Sequence, residues 1–226
     1  KRKTIIYYMK ILIATPAYGG QVYTGYTESL LYTCLMLNSL NIEYEVKFIG
    51  NQIVTRARNM LSSLFLDNKT FTHMLFLDAD VVWHPLEVKK LIDHNLECVI
   101  GIYPNKKYHW DKNDLKLLPS SVIHEPVVKK NNNLIKIKYA ATGFMLLKRS
   151  ALERIKNDVE IFEFPGSKGE MIKLHNYFDC KVVENDYLTE DYYFSYLFNK
   201  NGGEIFADES IKLKHIGPHE YGELLK

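Results

Sequence analysis

Hydrophobic and polar positions fall into two alternating periods over the first half of the chain. Residues 9–14 make a short apolar run broken only by Lys10, which predicts a buried strand, and residues 28–40 carry apolar side chains at helical spacing. Residues 44–49 give a second strand and residues 53–66 return to the helical period. A third strand runs through His73, Met74, Leu75, Phe76 and Leu77 and ends at Asp78. A helix follows from Pro85, a residue favoured in the first helical turn, and residues 98–103 make a fourth strand. Repeated strand, helix, strand units predict an α/β domain with a mostly parallel central sheet and right-handed crossovers.

Beyond Tyr103 the pattern changes. Residues 104–133 are rich in Lys, Asn, His and Pro, and the run Asn131, Asn132, Asn133 signals a turn, so loops and a hairpin are expected there. Residues 134–139 alternate Lys with apolar side chains, as a half-buried antiparallel strand does, and residues 143–147 form another strand. A short helix is predicted at 151–155 and an aromatic-rich one at 189–199, ended by Gly202 and Gly203; residues 204–207 and 211–215 close the chain as a small antiparallel part. No repeat or low-complexity linker divides residues 1–226, which read as one domain, with residues 1–8 set aside as upstream or appended sequence.

Composition narrows the classes of function. With 29 basic and 27 acidic side chains the net charge is +2, which builds no electrostatic case for nucleic acid, so any anion site must be local. Cys34, Cys98 and Cys180 are scattered without metal-ligand spacing, as expected of free thiols in a reducing compartment. No stretch approaches the ~18–20 apolar residues of a membrane span. A soluble, cytoplasmic protein is expected.

The candidate chemistry centres on Asp78 and Asp80, two acids placed two apart at the end of the third strand. Ligands of open α/β sheets gather at the carboxyl ends of such strands, and paired hard oxygen ligands suit Mg²⁺ or Mn²⁺. As a bare pattern Asp-x-Asp is more often a solvated turn. Here Val81, Val82 and Trp83 continue the apolar run past the acids, and two like charges beside that much hydrocarbon need a compensating cation or donor.

Other segments add to the picture. Thr15 and Pro16, followed by Tyr18, Gly19 and Gly20 at the end of the first strand, offer backbone donors and a flat ring suited to a nucleoside, or else a plain surface turn. Arg56 and Asn59 share a helix face, so the Arg56 guanidinium could brace Asp78 or reach a phosphate; Arg58 points elsewhere and reads as solvated. Thr142 and Gly143 would let a sugar approach the backbone, or simply open a strand. The stretch from Tyr103 to Trp110 has the aromatic and polar mixture that binds sugars. Glu190 and Asp191 open the aromatic helix, where acids are favoured in any case, and His215 stands near the end of the last strand with His219 as its competitor.

Taken in order, Ala14-Thr15-Pro16-Ala17-Tyr18, Arg56-Ala57-Arg58-Asn59, Asp78-Ala79-Asp80, Thr189-Glu190-Asp191 and His215-Ile216-Gly217 resemble the small GT-A glycosyltransferases. The chain is similar to compact DNA-virus and phage enzymes of that Rossmann-like fold, and the Arg-Ala-Arg-Asn and Asp-x-Asp pair also resembles fungal mannosyltransferases of the mannan polymerase group. The resemblance implies a nucleotide-diphosphate sugar donor, UDP-linked in preference to GDP-linked, and a glycan or glycoprotein acceptor. It implies donor contacts at Thr15, Pro16, Ala17, Tyr18, Arg56, Asn59, Asp78, Ala79 and Asp80, and sugar or acceptor contacts at Tyr103, Trp110, Thr142 and Gly143. Mn²⁺ or Mg²⁺ would be held by Asp78, Asp80 and His215. Asp191 would serve as base in an inverting reaction with Glu190 in reserve, while the fungal likeness keeps a retaining course open. A viral origin would place the protein in the host cytoplasm. The rival readings are a sugar nucleotidyltransferase, although residues 15–20 lack the basic residue of a phosphate loop, and a non-catalytic carbohydrate-binding relative.

Overall fold

In the computed structural model of this chain, which describes residues 8–111, 114–130, 133–166, 169–217 and 220–221, the apolar runs become the strands of one large sheet. In chain order the elements are β1 (Lys10–Ala17), α1 (Thr24–Ser39), β2 (Glu43–Gly50), α2 (Val54–Asp67), β3 (His73–Leu77), β4 (Val81–Trp83), α3 (Pro85–His94) and β5 (Cys98–Ile100). There follow β6 (Pro104–Asp111), β7 (Asp114–Pro119), β8 (Val122–Ile123), β9 (Leu134–Tyr139), β10 (Phe144–Lys148), α4 (Arg149–Ile155), β11 (Ile161–Pro165) and β12 (Met171–His175). The last are β13 (Lys181–Val183), β14 (Asp186–Leu188), α5 (Glu190–Lys200), β15 (Ile205–Asp208), β16 (Leu213–Ile216) and β17 (Glu220–Tyr221).

The large sheet has the order β2-β1-β3-β10-β5-β15-β9-β8. β1 pairs in parallel with β2 and β3, and β5 with β15, while β10 lies antiparallel between β3 and β5 and β9 lies antiparallel to β15. Most strands therefore share one direction and β9 runs antiparallel, both as predicted, but β10 reverses direction as well. An apolar run such as Phe144 to Leu147 reads as buried on both faces whichever way it points, so the pattern carries no sign of direction. β4, β16 and β17 form a separate small antiparallel sheet.

Alternation along the strands sends side chains to two cores. Ile11, Ile13, Leu75 and Leu77 pack with Tyr26, Trp83, Val88 and Leu91 under α1 and α3. Leu12, Ala14, Met74 and Phe76 pack with Leu61, Phe65, Phe194 and Phe198 under α2 and α5. Local signals set the helix ends: Pro85 starts α3, the His84 ring accepts from the Leu86 amide, and left-handed Asn95 stops it. α1 begins four residues before its apolar pattern does, because the Tyr23 amide is fixed to the Ala79 carbonyl (3.0 Å) and Tyr26 is buried edge-on to Trp83. The stretch 161–188, where the apolar pattern predicts no element, holds two short hairpins. Cys34, Cys98 and Cys180 are all free thiols, and no helix among the described residues is long and apolar enough to cross a membrane.

Candidate active site

The apolar run of β3 stops at Leu77, and the next three residues are held by backbone bonds from three elements. The Asp78 amide donates to the Gly143 carbonyl at 3.0 Å, the Ala79 carbonyl accepts from Tyr23, and the Asp80 carbonyl accepts from Ile216 at 2.8 Å. The acids thus sit where the entry to β10, the start of α1 and β16 converge, at the carboxyl end of the sheet.

Their side chains have different partners. Arg58, 3% exposed, places Nη2 3.0 Å from Asp78 Oδ1 and 3.2 Å from Oδ2, and its Nε lies 3.4 Å from Glu190 Oε1. Burial raises the pKa of Asp78 further than the Arg58 guanidinium lowers it. Asp80 faces the His215 imidazole with Oδ1, 3.4 Å from Nε2, and the Lys106 ammonium with Oδ2. For Asp80, burial pushes the pKa up, but the hydrogen bonds from His215 and Lys106 outweigh it and hold the carboxyl low. His215 Nδ1 lies 2.9 Å from the Pro104 carbonyl, which can only accept, so Nδ1 carries a proton; Nε2 is the atom turned to Asp80 and donates there only when it is protonated as well. The His215 ring also stands edge-on to Tyr103, with centroids 4.9 Å apart.

Glu190 and Asp191 occupy the first turn of α5. Glu190 is tied to Arg58, whereas Asp191 takes the Thr189 hydroxyl (2.5 Å) and the Tyr192 amide (2.9 Å) on Oδ1 and has no partner on Oδ2 among the described residues. Burial, and then the charge of Glu190, push Asp191 up to about 6. It is a carboxylate poised to exchange a proton near neutral pH. Gly143 stands between the acids and the aromatic wall: a Cβ there would lie 2.7 Å from Asp78 Oδ2 and collide with the Tyr103 hydroxyl, which accepts from the Gly143 amide. Beside these groups opens a cleft of about 720 Å³ lined by Pro16, Tyr18, Tyr23, Thr24, Gln52 and Asp78 to Asp80. A second cleft of about 770 Å³, lined by Lys136, Lys138, Tyr139, Tyr196 and Asn199, shares no residue with it and borders none of these acids.

The structure distributes the sequence candidates unevenly. Asp78, Ala79, Asp80, Pro16 and Tyr18 line one cleft, with Tyr18 81% exposed. Thr15 is buried with its hydroxyl 2.5 Å from that of Tyr26, and Ala17 is also buried, so both shape the strand end from behind. The arginines reverse their expected places. Arg58, read as solvated, is the buried brace of Asp78, while Arg56 bonds to Gln52 at 3.0 Å and lies over Phe164. Asn59 turns inward, joining Asn176 and both backbone atoms of Phe178, and does not reach the cleft. Thr142 is fully buried, and its hydroxyl has no partner among the described residues. Trp110 falls in β6 with its side chain outside those described, and His219 lies outside the described residues altogether. No three His, Cys, Asp or Glu side chains among the described residues cluster as ready metal ligands, since Asp78 is turned to Arg58. Lys106 belongs to the stretch from Tyr103 to Trp110 that the sequence marks for sugar or acceptor recognition, but its pairing with Asp80 carries no sequence signal. Arg58 did have one, being in register with Leu61 and Phe65 on the buried stripe of α2.

No family model matches the chain, and no curated protein matches it. Among solved structures it is similar to A197 from STIV, a viral protein, at a TM-score of 0.51 and 20% identity over 96% of both chains. It is also similar to GalNAc-T7, solved with UDP, GalNAc and Mn²⁺, at a TM-score of 0.54 and 10% identity over 94% of this chain and 44% of that one. Likeness at such identity speaks for architecture, and the architecture of this chain is of the GT-A type: a large mixed sheet flanked by helices, with a small antiparallel part beside it.

Proposed function

We propose that the chain is a metal-dependent glycosyltransferase that moves a sugar from a UDP-sugar, in preference to a GDP-sugar, to a glycan or glycoprotein acceptor. The observation that carries this reading is the pairing of Asp80 with His215 Nε2 on the rim of a nucleotide-sized cleft. A histidine whose other ring nitrogen is committed to a backbone carbonyl is oriented as metal-bound histidines are. The 3.4 Å between Nε2 and Oδ1 is a separation that two ligands of one ion can span. Asp80 and His215 fit Mn²⁺ or Mg²⁺, with the diphosphate and water completing the shell; Asp78 serves mainly through Arg58. When bound, the ion would supply positive charge to the leaving diphosphate.

The protein's own groups do the rest. Pro16 and Tyr18 receive the nucleoside beside Gln52, which Arg56 holds, and the buried Tyr103, Thr142 and Gly143 back the wall that meets the sugar or acceptor. Asp191 is the base, because Glu190 is already neutralised by Arg58 while Oδ2 of Asp191 is open. The acceptor hydroxyl gives its proton to Asp191 as its oxygen bonds to the anomeric carbon from the far side. The bond from that carbon to the diphosphate oxygen breaks, leaving its electron pair on the nucleotide, so the configuration inverts. UDP and GDP titrated with and without Mn²⁺, followed by a donor-hydrolysis screen across nucleotide sugars, test the reading. Metal-dependent UDP binding with release of one sugar is expected, and failure to bind either nucleotide would refute it.

A further inference from the structure

We propose that Lys106 is a resident counter-cation of this site, which holds Asp80 until a divalent cation and a nucleotide diphosphate enter together and then turns to the diphosphate. The inference rests on the glycosyltransferase reading and adds a residue to it. One short segment touches three of the groups at the site: the Tyr103 hydroxyl accepts from Gly143 at 3.1 Å, the Pro104 carbonyl accepts from His215 at 2.9 Å, and the Lys106 ammonium donates to Asp80. Both oxygens of Asp80 are thereby engaged, one by imidazole and one by ammonium. The cation that the carboxylate needs is already supplied by the chain.

Charge decides what happens next. A dication arriving alone must displace the ammonium from Asp80, and the released charge finds no free partner in Asp78 or Glu190, which the buried Arg58 guanidinium already holds. A nucleotide diphosphate brings negative charge and phosphate oxygens, so the released ammonium has a new partner. Lysine suits this exchange, because its compact charge sits on a flexible stem with three rotatable donors. The pair is partly open to water, with 30% of the Lys106 side chain and 28% of the Asp80 side chain exposed, which leaves it partly screened and able to separate. On the diphosphate the ammonium would oppose the charge that grows on the departing oxygen as its bond to the sugar breaks. Metal and nucleotide are then coupled through one side chain, and linkage requires each to strengthen the other by the same factor.

Mn²⁺ titrations of the whole chain, read by the paramagnetic resonance signal of free Mn²⁺, test this with and without saturating UDP. Lys106→Met, with Lys106→Gln as a second charge-removing variant and Lys106→Arg as the charge-keeping one, are compared with the parent, and thermal melts check folding. The two neutral variants should bind Mn²⁺ alone about tenfold more tightly than the parent. The enhancement by UDP should shrink by a similar factor in them, and Lys106→Arg should keep the parent behaviour. In transfer assays the neutral variants should lose kcat more than donor KM changes. Parent-like Mn²⁺ affinity in folded neutral variants that still bind UDP would overturn the exchange and leave the glycosyltransferase reading standing. A parent chain that binds neither Mn²⁺ nor nucleotide would overturn both.

Discussion

Replacing Arg58 with Met should destabilise the protein far more than the same change at Arg56. The Arg58 guanidinium is 3% exposed and makes contacts of 3.0 and 3.2 Å to Asp78 and 3.4 Å to Glu190, with its plane 5.5 Å from the Phe76 ring. Methionine keeps most of the apolar stem but leaves two acids without their shared partner. Removing one member of a buried ion pair costs about 3–5 kcal/mol, chiefly as desolvated charge left behind. For a chain of this size that is a fall in Tm of roughly 6–20 °C. Arg56, bonded to Gln52 and lying over Phe164 at the surface, should cost about 1 kcal/mol or less. The sign with pH is also fixed. Burial already raises Asp78, and without the guanidinium its native carboxyl would bind a proton at still higher pH than the unfolded chain does. Variant stability therefore falls as pH rises through that value, and the deficit against the parent should shrink on acidification. Urea unfolding of both variants at pH 5 and pH 7.5 measures it. A deficit for Arg58→Met below about 1 kcal/mol, or one that does not change with pH, would refute the buried brace.

Four further outcomes are expected. Asp191, raised to about 6, should give kcat/KM an acid limb near that pH, and Asp191→Asn should abolish the limb along with most of the rate while UDP still binds. Because that folded value lies above the unfolded one, the parent should also lose stability relative to Asp191→Asn as pH rises from about 4 to 6, by roughly 2–3 kcal/mol, seen in parallel melts. Gly143→Ala should push its methyl into Asp78 Oδ2 and the Tyr103 hydroxyl, lowering stability by about 1–3 kcal/mol and weakening nucleotide binding, which calorimetry would register. Asn59→Ala should break the bonds to Asn176 and Phe178 and cost about 2–4 kcal/mol while leaving UDP affinity near that of the parent.

The alternation of strand and helix up to residue 103 was legible because each element there is buried along a stripe or a face, and burial leaves a period in the sequence. The same physics exposes the acids, since Asp78 interrupts a run whose every residue is buried. What stayed hidden depends on three-dimensional pairing. Whether Arg56 or Arg58 faces the acids turns on two residues of helical phase, and Lys106 meets Asp80 only because the hairpin of β6 and β7 folds back past β16. The direction of β10 was likewise silent, as were the hairpins after residue 160, whose half-exposed strands alternate too briefly to stand out.

The reversed strand has a mechanical consequence. β10 enters the sheet where β3 leaves it, Phe144 pairing with Leu77, so the rim beside the acids is made of anchored backbone where an all-parallel sheet would have a free loop. Adjustment around a ligand is then left to what stands off this floor, above all the turn carrying the exposed Tyr18. Amide exchange should find the floor at Asp78 and Gly101 slow and the Tyr18 turn fast, with the difference narrowing when a nucleotide is held against it.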